Sequence, residues 1–103
     1  MANELSYETF ARILNTTFRI HVGESETIDA VLAEISEHMI SPRQERFSIV
    51  FRAPTQPLLP QGLRRFEHDE IGSFDLFIVP IGRDEHSVQY EAVFNRLRPS
   101  APK

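Results

Sequence analysis

The chain has 103 residues, 41% of them hydrophobic and 25% charged, with a net charge of −4. That length suffices for one domain, the composition excludes a disordered chain, and the acidic balance excludes a basic stripe of the kind that binds nucleic acid. The absence of cysteine excludes thiol nucleophiles, disulfides and cysteine zinc sites.

The first predicted element is a short helix over 5–14. Ser6 is its N-cap, and Leu5 with Phe10 has the spacing of a hydrophobic staple. Phe10, Ile13 and Leu14 form its apolar stripe, and Asn15 is the stop, because it tolerates the left-handed conformation. From Thr16 the period changes to two: Phe18, Ile20 and Val22 alternate with polar residues as in a half-buried strand. Gly23 to Ser25 is a turn.

The segment 27–39 has two readings. Ile28, Val31, Leu32, Ile35 and Met39 fit a helix, whereas in a strand the alternation slips, with Ile28, Ala30 and Leu32 on one face and Val31, Ala33 and Ile35 on the other. Pattern alone favours the helix. Ser41 to Arg46 is polar, contains Pro42 and reads as a loop. Phe47, Ile49 and Phe51 mark the next strand. Pro54, Pro57 and Pro60 make 54–62 a connection, because proline removes a ladder donor and fixes φ. Leu63 to His68 reads as a short polar edge strand, followed by a turn at 69–72.

Ser73 to Ile81 is the most apolar strand. Phe74, Leu76 and Ile78 point one way and Phe77, Val79 and Ile81 the other. Both faces are therefore expected to be covered, the second by the helix, a neighbouring layer or a partner subunit. Gly82 to Glu85 turns the chain into a last strand, 87–97, with Val88, Tyr90, Ala92 and Phe94 on one side. Residues 1–97 thus read as one β-rich domain and 98–103 as a flexible C-terminal tail.

The second half carries a set of words in a fixed order: Phe47-Ser-Ile-Val-Phe-Arg-Ala-Pro54, Pro57-Leu-Leu-Pro-Gln-Gly62, Phe66-Glu-His68, Leu76-Phe-Ile-Val-Pro-Ile-Gly82 and Tyr90-Glu-Ala-Val-Phe-Asn95. With Phe10 and Thr16-Thr-Phe18 they resemble an uncharacterised bacterial domain family of unknown function over residues 5–97. The resemblance implies no catalytic residues. It implies a genomic association with phage tail-collar-domain proteins, and it implies that 27–35 is an alternating strand. On that ground 27–39 is assigned as a strand, with a β-bulge near Ala30 or Val31. The sequence departs from its relatives in being polar around Arg64-Arg65.

The expected fold is mostly β: a six-stranded antiparallel bent sheet or small barrel with one N-terminal helix. The alternative is α+β with a second helix at 27–39. No apolar run is long enough to span a membrane, and the first residues lack a signal-peptide pattern. The expected compartment is the cytoplasm, with export by a non-classical route left open.

No motif marks a reaction centre, and no cofactor or metal is implied. His21, His38, His68 and His86 have no metal-pair spacing. His68-Asp69-Glu70 and Asp84-Glu85-His86 join histidines to carboxylates, but at predicted turns, where such residues are commonly solvated. The loop Pro57, Leu58, Leu59, Pro60 and Gln61, with Arg64 and Arg65 beside it, is the candidate interface. Its leucines either plug one end of the sheet or form an exposed apolar patch. The leading expectation is a non-enzymatic interaction or assembly module. Its partner would be a protein, tail-collar-like or a second copy, and neither nucleic acid nor membrane. The alternative is a ligand- or carbohydrate-binding barrel lined by Phe51, Phe66, Phe77 or Tyr90. An enzyme using His68 or His86 stands third.

Overall fold

In the computed structural model, which describes residues 6–41 and 44–97, one short helix precedes six antiparallel strands. The helix α1 spans Tyr7–Arg12. The strands are β1 (Thr17–His21), β2 (Thr27–Ser41), β3 (Gln44–Ala53), β4 (Gly62–His68), β5 (Gly72–Arg83) and β6 (Val88–Leu97). They close into a barrel in the order β1-β2-β3-β6-β5-β4. The barrel form of the expected fold is the one found, and the α+β alternative is excluded because β2 pairs with strands along its length.

Ser6 caps α1 as its sequence predicts: its extended backbone lets Oγ accept the Thr9 N–H at 3.2 Å. The helix is shorter than the 5–14 expected. Ile13, at the C-cap, has left helical geometry with φ −113°, and Asn15 takes φ +69°. The Asn15 N–H then donates to the Leu32 carbonyl at 2.7 Å, so the stop also pins the helix end to β2. Leu5, the other half of the staple, lies outside the described residues. Phe10 is fully buried and meets Phe94, Phe18, Phe47 and Phe74 at ring-centroid separations of 5.4–6.5 Å. A six-residue helix has little stability of its own, so this aromatic packing holds it.

The bulge in β2 lies at Ala33, two to three residues beyond the expected place. Leu32 pairs with Phe51 and Glu34 with Val50, leaving Ala33 without an opposite number. Ala30 and Leu32 point into the barrel before it, and Ile35, opposite the buried Ile49, does so after it. One extra residue converts an even-numbered apolar set into an odd-numbered one. That slip is what imitates helical spacing in the sequence.

Two further expectations change. The loop expected at 41–46 is largely strand: Ser41 ends β2, and Gln44, Glu45 and Arg46 pair with Leu97, Arg96 and Asn95. Polar residues continue the ladder there because backbone pairing is indifferent to side-chain polarity. Strand β4 is not an edge. Its inner neighbour is β5, and on the other side Arg19 pairs with Glu67 and Ile20 with Phe66, which closes the barrel. Strand β5 serves two neighbours in turn, β4 from Gly72 to Ile78 and β6 from Val79 to Arg83. This sharp change of partner is how six short strands enclose a core.

Inside, Phe18, Phe47, Phe51, Phe66, Ile20, Ile49, Ile78 and Tyr90 are all fully buried. Phe18 meets Phe51 at 5.1 Å and Phe51 meets Phe66 at 4.9 Å between ring centroids, so aromatic rings fill the interior. No helix among the described residues is long and apolar enough to cross a membrane.

Candidate functional site

The connection between β3 and β4 lies over one end of the barrel. Its two leucines, adjacent in sequence, divide the two roles expected for the loop. Leu59 turns inward, is 3% exposed, and its N–H donates to the Tyr90 hydroxyl at 2.9 Å. Leu58 turns outward and is 52% exposed. Neighbouring residues of an extended chain point to opposite sides, so anchoring the first presents the second.

Across from the loop, β5 carries a bulge. Pro80 pairs with Tyr90 and Gly82 with Gln89, leaving Ile81 unmatched. Proline is tolerated here because a bulge relieves the ladder of a donor. Loop and bulge together form an apolar groove of about 360 Å³, with Leu58, Leu59 and Pro60 on one side and Pro80, Gly82 and Val88 on the other. A second, more polar depression beside it is lined by Thr55, Gln56 and Pro57. Leu58 and Arg83 belong to both.

The structure brings Pro57, Leu58, Leu59 and Pro60 to these depressions. Gln61 is exposed and lines neither of them, and Arg64 and Arg65 also lie elsewhere. Arg64 is half-buried opposite Leu76, and Arg65 points outward to Asp75, with Nε 3.1 Å from Oδ1. The cation at the groove is Arg83, at the end of β5, which sequence reasoning did not select. Nothing local marks it, because the loop at 54–61 and the end of β5 meet only through the barrel.

A second apolar feature is the outer face of β4 and β5. Leu63 and Phe77 stand directly opposite each other and are 66% and 53% exposed. Ile81 and Val93 are also half exposed. Of the covers expected for this side of β5, neither the helix nor a neighbouring layer of the chain shields Phe77 and Ile81, which stay half exposed. The helix instead packs Phe10 into the core.

The histidines are tied to the scaffold. His68 Nδ1 accepts the Glu70 N–H at 3.0 Å, so the ring proton sits on Nε2. Nε2 donates to Thr16 Oγ1 at 2.8 Å, and that hydroxyl donates to the Ile13 carbonyl at 2.6 Å. His68, 6% exposed and 4.4 Å from the Phe18 ring, thereby joins β4 to the end of α1. His21 Nε2 donates to Glu67 Oε2 at 2.6 Å, and Arg19 lies 3.5 Å from Glu67 and 3.2 Å from Asp69. This clasp covers the closing seam of β1 and β4. The His21 hydrogen bond, with the His21 and Arg19 charges behind it, holds the Glu67 carboxyl below its ordinary range against partial desolvation. Asp84 Oδ1 accepts the N–H groups of His86 and Ser87, both at 2.8 Å, which keeps its carboxyl charged at lower pH than usual. The side chain of His38 lies outside the described residues.

A family model described as a domain of unknown function, DUF6916, matches residues 5–94, and the chain belongs to that family. An uncharacterised domain family is also what its sequence words resemble. No curated protein and no solved structure matches the chain.

Proposed function

We propose that this chain is a non-catalytic interaction module that binds a protein partner through the groove at the end of its barrel. The carrying observation is Leu58. It is half exposed on a loop that three prolines stiffen and the Leu59–Tyr90 hydrogen bond fixes, so its presentation costs little ordering on binding. The groove beside it is almost wholly apolar, which suits a side chain from a partner. The side chains that suggested chemistry in the sequence have structural work in the fold: His68 in the Thr16–Ile13 relay, Asp84 in the β5–β6 turn. A ligand held inside the barrel would need the volume that Phe18, Phe51 and Phe66 occupy, which favours the surface over the lumen.

The first partner to test is the class the resemblance implies, a tail-collar-like bacterial surface or secreted protein. Tagged wild-type chain and a Leu58→Asp variant are used in parallel to co-purify proteins from the encoding organism. The reading expects a tail-collar-domain protein with the wild type and its loss with the variant, at unchanged circular dichroism. Equal recovery by both would remove the groove from the interface. The Leu63–Phe77 pair supports a second contact, with another copy or with the same partner. Sedimentation equilibrium of the chain alone tells these apart, since self-association needs no partner.

A further inference from the structure

Resting on the groove reading, we infer that the groove takes an extended internal segment of a polypeptide in which a bulky apolar residue stands two positions from an aspartate or glutamate. The argument is one of charge. Among the described residues, Arg83 is the only charged one lining the apolar groove and the polar depression next to it. Its guanidinium has no carboxylate partner among the described residues, in a chain whose net charge is −4. The acidic residues that follow it do not supply one. Asp84 accepts from the His86 and Ser87 N–H groups and the Ser87 hydroxyl, and Glu85 lies 3.8 Å from His86. An unneutralised cation at the rim of an apolar groove attracts a ligand that is apolar and anionic at once.

The two depressions meet at Leu58 and Arg83, so a chain can run past the guanidinium from one into the other. That continuity favours an acidic side chain within a segment over a terminal carboxylate. Thr55 and Gln56 then offer polar groups to the backbone beyond the acidic residue. Residues two apart on an extended strand face the same side about 6.5–7 Å apart, which lets the apolar and the acidic side chain point at the protein together.

The test uses nitrogen-15-labelled chain titrated with the acetylated, amidated nonapeptide Gly-Ser-Gly-Phe-Ser-Glu-Gly-Ser-Gly. The expected result is fast-exchange amide shifts at Leu58, Gly82 and Val88. A peptide with Gln in place of Glu should bind at least about threefold more weakly, the scale of one exposed ion pair. Arg83→Gln should abolish that difference, and Arg83→Lys should retain it. The same apolar residue at a free C-terminal carboxylate should bind no better than the Gln peptide. The inference is overturned if Glu and Gln peptides bind alike, if the terminal carboxylate binds best, or if neither peptide shifts the groove. Shifts at the groove with all peptides alike, and loss of the co-purified partner only with Leu58→Asp and not with Arg83→Gln, would leave the groove reading standing and remove the acidic requirement.

Discussion

The Leu59 N–H donates to the hydroxyl of Tyr90, 31 residues further along the chain, at 2.9 Å and out of contact with solvent. Tyr90 is fully buried, so its ring is core and its hydroxyl is a fastening point for the loop. The consequence reaches the surface, because holding Leu59 inward determines that Leu58 points outward.

Tyr90→Phe leaves the ring in place and removes the acceptor. A buried N–H left without a partner costs about 1–3 kcal/mol. Urea denaturation should show a loss of that size. Amide exchange at Leu59 should accelerate more than at Ile49, which lies in the core of β3. Equal exchange at the two sites before and after substitution would show that the loop is held by something else.

The relay from His68 through Thr16 to Ile13 joins the end of the helix to the barrel. Thr16→Val keeps the side-chain shape and deletes both hydrogen bonds, leaving the His68 Nε2–H unpaired. The expected loss is again about 1–3 kcal/mol. Thr16→Ser, which keeps the hydroxyl, should recover most of it. Thermal or chemical denaturation of the two variants side by side is the measurement.

Glu67 predicts an acid limb in stability. Its folded-state carboxyl titrates below the ordinary range, with the His21 hydrogen bond as first cause. The folded state therefore binds this proton less readily than the unfolded state. The contribution is present above the unfolded-state value, near pH 4.3, and is lost as pH falls through the folded-state value. Stability measured from pH 6 to pH 3 should fall more steeply in the wild type than in Glu67→Gln. Parallel curves would mean that the seam clasp does not couple to folding.

Phe77 is half exposed opposite Leu63, so Phe77→Ser should change stability by no more than about 0.5 kcal/mol. The same change should reduce heat-induced aggregation, because it divides the exposed apolar pair. A loss several times larger would show that the Phe77 ring is buried in solution, against another copy.

Most of the strands were legible because their cores alternate cleanly. Phe47, Ile49 and Phe51 in β3, and Val88, Tyr90 and Ala92 in β6, lie inward as their period requires. The N-cap at Ser6 and the left-handed stop at Asn15 were equally readable, since both depend on local backbone chemistry. The second strand was not readable from pattern. The bulge at Ala33 broke the period, and only the resemblance to a family restored the strand. Arg83 was invisible for a different reason: its place at the groove depends on a loop more than twenty residues away.

The sequence by itself determined a mostly β fold with a capped N-terminal helix, and it singled out the loop at 57–61. Those features follow from hydrophobic period, proline chemistry and capping, all of which act over a few residues. Tertiary structure alone decided that β4 closes a barrel, that Leu58 is presented while Leu59 is anchored, and that Arg83 rather than Arg64 or Arg65 stands at the groove. Strand pairing and closure join residues far apart in the chain. Which side chains meet at the barrel's end is set by register, and register is a property of the whole sheet.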